Sequence, residues 1–139
     1  MALGMFAGCT FKSSKNYTFD LATGDNVKVE LSTSDGFGLR QKDGMFYVTY
    51  KDQDVLEGDF RIFEYELFTD DEDGFFSRGN NTLAYNINGY YGYLTKLNGE
   101  ICIQMIITDK DLGRKALDRL TFSINGGSEI VPSKGLPNW

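Results

Sequence analysis

The side chains able to do chemistry are few, and their types narrow the field. The chain has no histidine, which removes Ser-His-Asp and Cys-His nucleophilic sites, His-ligated zinc and the commonest general base near neutral pH. Its two cysteines, Cys9 and Cys102, stand far apart. Cys102 sits in the apolar run Ile101-Cys102-Ile103 and is expected to be a buried, inert thiol. The densest set of hard oxygen donors is Asp70-Asp71-Glu72-Asp73-Gly74, the kind of turn that calcium uses. With Gly74 in the place of the invariant glycine of an EF-hand loop, Asp71 and Asp73 take the third and fifth ligand positions, but Thr69 and Asn80 fall at the first and twelfth, where carboxylates are needed. Asp70, Asp71 and Asp73 are therefore candidate ligands of a weak extracellular calcium site, set against the reading of a solvated acidic loop. Asp35-Gly36-Phe37-Gly38-Leu39 fits neither the Walker nor the dinucleotide glycine spacing, and no cofactor is expected.

The other concentration of functional side chains is aromatic. Tyr85, Tyr90, Tyr91 and Tyr93 lie in and around Tyr85-Asn86-Ile87-Asn88-Gly89-Tyr90-Tyr91-Gly92-Tyr93. On alternating strands some must face outward, and exposed tyrosines supply recognition area at low entropic cost; the competing reading is that they cover core and sheet edges. The many acids include enough carboxylates for a glycosidase-like pair, yet nothing in linear order selects one.

Length and charge bound the rest. A chain of 139 residues with 41% hydrophobic and 24% charged residues makes one soluble globular domain, neither disordered nor a coiled coil. The net charge of −6 disfavours nucleic acid, whose phosphates need a clustered basic surface. The basic groupings are Lys12/Lys15 and Lys110/Arg114/Lys115/Arg119, and the second sits where a helix C-terminal half favours cations. No stretch approaches the ~18–20 apolar residues of a membrane span.

Residues Phe6-Ala7-Gly8-Cys9 resemble a bacterial lipobox, in which Leu and two small residues precede a cysteine that is acylated and becomes the mature N-terminus. Ala7 and Gly8 match the small positions, Cys9 the acceptor, and Phe6 departs from Leu. The resemblance implies lipid attachment at Cys9 and a membrane-anchored, extracytoplasmic place in the cell envelope. Residues 1–8 are uncharged and small or apolar, like the end of a secretory h-region, but lack a positive n-region and fall short of the ~15–30 residues of a signal peptide; on this reading the sequence is a truncated or mis-started form. The polar stretch Thr10 to Asn16 would lift a domain off a bilayer, and a diacylated cysteine would hold it without a polybasic patch, since two chains anchor where one does not. Two alternatives stand: residues 1–11 form an ordinary first element with Cys9 packed in the core, or Cys9 pairs with Cys102 in an oxidising compartment.

The elements that position all of this read mainly as sheet. Tyr17 to Leu21 and Val27 to Leu31 alternate around the turn residues Thr23-Gly24-Asp25-Asn26, a hairpin. Lys42-Asp43-Gly44 turns into a strand from Met45 to Lys51; Asp52-Gln53-Asp54 turns again, and Val55 to Phe60 returns. Phe60 to Phe68 is expected as a short helix, from its glutamates and Leu67. Asn98-Gly99 between Tyr91–Leu97 and Ile101–Thr108 is a hairpin signal. Ile101 to Ile107, apolar on both sides, should be a central strand covered on both faces. Thr108 or Asp109 caps a helix with Ala116, Leu117 and Leu120 on its apolar side, and Thr121 to Ile124 is a last strand. The expected organisation is a tether at residues 1–15, one α+β domain at 16–127 and a flexible tail at 128–139. The fold is an antiparallel sheet with a C-terminal helix on one face, or else a β-sandwich with one peripheral helix.

The hairpins, the two-sided strand and the closing Gly113 to Ile124 resemble the Mog1/PsbP-like domains, which implies a small α-β-α sandwich. With the lipobox, this implies a non-enzymatic envelope protein serving as a binding or accessory component of a surface assembly, with a protein partner and the membrane as its contacts. The alternatives are a hydrolase using Asp and Glu alone, and a soluble interaction protein.

Overall fold

The computed structural model describes residues 13–62, 75–87 and 89–137; Cys9, Asp70, Asp71 and Asp73 lie outside them. In chain order the elements are β1 Ser14–Asp20, β2 Asn26–Ser32, β3 Phe37–Lys42, β4 Met45–Tyr50, β5 Gln53–Ile62, β6 Phe75–Arg78, β7 Thr82–Ile87, β8 Tyr90–Lys96, β9 Ile101–Ile107, helix α1 Lys110–Asp118 and β10 Leu120–Ile124. They form a seven-stranded antiparallel sheet, β3-β4-β5-β9-β8-β7-β6, and a three-stranded one, β10-β2-β1. The fold is thus sheet-dominated α+β with one short helix among the described residues.

Period-two patterning explains the two layers. Val27, Val29 and Leu31 alternate with Lys28 and Glu30, and the first three are fully buried. They face the inner side of the large sheet, where Phe46, Val48, Leu56, Ile103 and Met105 are equally enclosed. Each such side chain contributes about 1.5–3 kcal/mol by leaving water. Rings lock the layers together: Phe19 of β1 lies 5.0 Å from Phe60 of β5, and Phe122 of β10 lies 5.9 Å from Phe46 of β4. Phe46 lies across Gly58 of the neighbouring strand, where any Cβ would collide with the ring, so that glycine is required by close approach.

Local chemistry sets the connections. Asp43 and Gly44 have φ of 53° and 77°, the type I′ turn that joins β3 to β4 in a tight hairpin. The β8–β9 connection forms as expected but closes differently: Asn98 Oδ1 accepts from the N–H groups of Glu100 and Ile101 at 2.9 and 2.8 Å, so a side chain supplies the turn that a left-handed backbone supplies elsewhere. Asp109 caps α1 by accepting from the Leu112 N–H at 2.8 Å. Gly113 brings the helix onto Ile107, whose side chain would lie 2.7 Å from an added Cβ, and Ala116 and Leu117 bury the same face.

Four expectations are corrected. Residues 53–62 are one ten-residue strand: Phe60, Arg61 and Ile62 pair with Ile103, Cys102 and Ile101 instead of opening a helix, because a ladder to β9 and the Phe19 contact outweigh the modest helix preference of this segment; residues 63–68 lie outside the described part. Strand β9 is central and its inner residues are buried, but its outer face is covered only in part: Cys102 is buried there, Gln104 is half-buried and Ile106 is 39% exposed. Ser14 and Lys15, assigned to the tether, already pair with Ser32 and Leu31. Finally, the expected tail packs on the domain. Ile130 bridges Phe122 with hydrogen bonds in both directions, Asn80 N–H donates to the Lys134 carbonyl at 2.9 Å, and Leu136 is buried. This strap adds Leu136 to the hydrophobic core.

Candidate functional site

Strand alternation leaves the large sheet with a second, outward face. From the β3 edge it carries Arg40, Tyr47, Glu57, Asp59 and Arg61, then Gln104 and Ile106 of β9, and Tyr85 and Tyr90 toward the far side, as the cross-strand registers dictate. Arg40 stacks on Tyr47 with its guanidinium carbon 4.1 Å from the ring centroid and grips Asp54 in a two-toothed pair, Nη2 at 2.7 Å and Nε at 3.3 Å. That hydrogen bond holds the Arg40 guanidinium above its ordinary value. Arg61 Nε donates to Asp59 at 2.9 Å. In the middle, Gln104 stands opposite Asp59 on one side and Leu94 on the other, with Nε2 donating to the Tyr85 hydroxyl at 3.5 Å. Tyr85 lies over Gly92, which has no side chain to displace it.

The four candidate tyrosines divide between the faces. Tyr90 is 69% exposed and Tyr85 half-buried on the outer face. Tyr93 is fully buried and Tyr91 half-buried on the inner face, the latter beneath the Lys110 ammonium at 5.3 Å. Tyr91 and Tyr93 are therefore core and core-edge residues and not parts of a recognition surface: the strand period of two puts them opposite Ile107 and Met105. Half of the expected aromatic surface remains, joined by Gln104, Arg40 and Tyr47, which the sequence did not single out.

Cys102 is a free, buried thiol on the same sheet, and burial pushes it up to about 11, so it is protonated and a poor nucleophile. No group of three or more Cys, Asp or Glu gathers to hold a metal among the described residues. No helix among them is long and apolar enough to cross a membrane. The cavities among the described residues are open clefts. One of about 310 Å³ at the β7–β8 end is lined by Arg78, Asn80, Asn81, Lys96 and Asn98, and one of about 170 Å³ is an apolar cleft between Leu21, Phe60, Ile62 and Ile101.

The basic grouping near the C-terminal helix works as two latches. Arg119 donates from Nη1 to the carbonyls of Ser32 and Ser34 and to Ser34 Oγ, at 3.2, 2.9 and 2.9 Å, and from Nη2 to Asp35 at 2.9 Å; its guanidinium lies 4.5 Å from the Phe37 ring centroid. Arg114 donates to the carbonyls of Pro137 and Leu136 at 2.6 and 3.2 Å, clamping the strap. Across the small sheet, Asn125 Nδ2 and Thr23 Oγ1 donate to Asp25 at 2.8 Å each, holding its carboxyl below the ordinary carboxylate value. These pairs tie segments far apart in sequence, and no local period announces them.

No known protein family, curated protein or solved structure matches the chain.

Proposed function

We propose that this chain is a non-enzymatic binding domain, an accessory component of a bacterial surface assembly held at the membrane by lipid on Cys9. The observation that supports the binding role is the outer face of the seven-stranded sheet, which is buried at Cys102 and Leu83 but exposed at Ile106 and Tyr90. Two ion pairs on it are already formed, Arg40 with Asp54 and Arg61 with Asp59, while Ile106 and Tyr90 are exposed. Pre-paired side chains lose little entropy on docking, and exposed aliphatic and aromatic groups then supply the area removed from water. The membrane role rests on Phe6-Ala7-Gly8-Cys9 and the polar Thr10 to Asn16 that follows, with two acyl chains on one cysteine giving stable attachment. The finer fold reading that accompanies this proposal is a Mog1/PsbP-like domain, suggested by the order of elements and the closing helix-to-strand segment Gly113 to Ile124, with α1 laid on one face of the sheet.

Two measurements test it together. Intact mass of the natively expressed protein should show diacylglycerol on Cys9; an unmodified Cys9 in that protein sinks the anchor. A photo-crosslinking residue at position 106 should give discrete protein adducts in cells, and the same residue at Lys28, on the outer side of the small sheet, should not. Equal labelling from both positions, or none, would remove the outer face as the working surface.

A further inference from the structure

The chain contains the pairs Asn88-Gly89, Asn98-Gly99 and Asn125-Gly126, of which Asn88 lies outside the described residues. An Asn-Gly pair carries its own chemistry. The glycine nitrogen attacks Cγ of the asparagine, a C–N bond forms as ammonia leaves with the side-chain nitrogen, and water then opens the cyclic imide to aspartate or isoaspartate. Glycine allows the close approach because it has no Cβ, and water is the sole co-reactant. How the fold holds each amide decides which pair reacts.

The two described pairs are held in opposite ways. Asn125 is tied at both ends of its amide: Oδ1 accepts from the Asn26 N–H at 2.9 Å, and Nδ2 donates to Asp25 Oδ1 at 2.8 Å. The second bond secures the leaving nitrogen, and the Asp25 carboxylate sets a negative charge beside the group on which negative charge must develop. The backbone is fixed as well. Asn125 and Gly126 have φ of 53° and 71°, and the Asn125 N–H donates to the Asn26 carbonyl at 2.8 Å, so swinging Gly126 onto Cγ breaks contacts between β10 and β2.

At Asn98 only the carbonyl end is held. Its Oδ1 accepts from the N–H groups of Glu100 and Ile101 at 2.9 and 2.8 Å, while Nδ2 meets no acceptor among the described residues. Two backbone donors aimed at the oxygen that becomes the oxyanion are the device that lowers barriers in acyl transfer. The Gly99 N–H is bonded to no described backbone carbonyl, and a Cβ built at Gly99 would meet nothing within 4 Å, so the nucleophile has room to turn.

We propose that Asn98 is a self-deamidation site, and that the fold withholds the same reaction from Asn125 through the bond to Asp25. The aspartate product keeps an oxygen for both N–H groups and strengthens those bonds with its charge. The isoaspartate product carries the former side chain in the main chain and gives them up. Either product adds one negative charge to the rim of the cleft that Arg78, Lys96 and Asn98 line, so the charge of that cleft changes with the age of the molecule.

The test follows both sites in the full chain, incubated folded in mildly alkaline buffer and then digested for peptide mass, where deamidation adds about 1 Da and enzymatic methylation marks isoaspartate. Asn98 should convert at least about tenfold faster than Asn125. In concentrated urea, where the hydrogen bonds are gone, the two rates should converge. Asp25→Ala should raise conversion at Asn125 several-fold and leave Asn98 as it was; a thermal melt establishes that this variant is folded, and if it is not, the folded-against-urea comparison decides. Equal rates in the folded chain, or a faster Asn125, overturn the inference. So does a preference that persists unchanged in urea, which would belong to the local sequence and not to the fold, and so does an Asn125 that stays inert in folded Asp25→Ala.

Discussion

Arg119 shows how a residue's role is set by what folds against it. It sits at the C-cap of α1, where cations favour the helix end in any case, and that much is readable from the spacing of Lys110, Arg114, Lys115 and Arg119. Its work, however, is done on the connection between β2 and β3. Three acceptors on Ser32 and Ser34, one on Asp35, and the Phe37 ring all converge on one planar guanidinium that is only 20% exposed. A lysine ammonium keeps the charge but cannot present a fork to several acceptors while stacking on a ring. Arg119→Lys is accordingly expected to cost about 1–2 kcal/mol, measurable by urea unfolding. An unchanged midpoint would mean that charge alone, and not the fork, holds the β2–β3 connection. The residues that reach across the sequence, Arg114, Arg119, Asp25 and Asn125, were illegible in advance because nothing local distinguishes them from solvated surface charges. The division of the tyrosines was legible in principle, since a period of two settles it once the strand boundaries are known, and only the face had to be assigned.

At the scale of elements, the hairpins could be read wherever turn chemistry and alternation agreed, as around Asp43-Gly44 and Asn98-Gly99. The helix at Lys110–Asp118 was marked by its Asp109 cap and its apolar side. Strand β5 could not be read whole, because its two ends carry different signals: Gln53 and Asp54 look like a turn, and Phe60 to Ile62 run on into glutamates. Its length is decided by partners on both sides, β4 and β9, which are tertiary facts. Gly58 marks its centre. The Phe46 ring occupies the volume above that glycine and also touches Phe19, Phe60 and Phe122, so a side chain at position 58 must push out the ring that joins both sheets. Gly58→Ala should destabilise the fold by about 1–3 kcal/mol through overpacking, with the amides of β4 and β5 losing hydrogen-exchange protection ahead of those of β7 and β8. Uniform loss across the large sheet would show instead that the ring contacts do not act locally.

For the molecule as a whole, the large sheet needs more cover than the small sheet and α1 provide. The small sheet meets it through Phe19 and Phe122 over β4 and β5, and α1 lies on Ile107. Toward β6, β7 and β8 the inner face carries Ala84, Tyr93 and the hydrogen-bonded pair Thr82 and Thr95, all buried, and the strap at residues 128–137 packs at that end, with Leu136 against Gly79. Its composition hides this. It holds both prolines and no strand period, yet it is fastened at Phe122, Asn80 and Arg114 and lowers Leu136 into the core. A true tail could be removed without effect. Deleting residues 128–139 should instead cost roughly 3–5 kcal/mol, the loss of a buried leucine, a half-buried isoleucine and several hydrogen bonds, and lower the melting temperature on the order of 10 °C for a domain of this size. The uncovered face should then bind a hydrophobic dye, and exchange should rise first in β7 and β8. If dye binding stayed at the level of the intact chain while stability fell, the strap would be fastening the small sheet through Ile130 and Phe122 and not closing the far half of the large one.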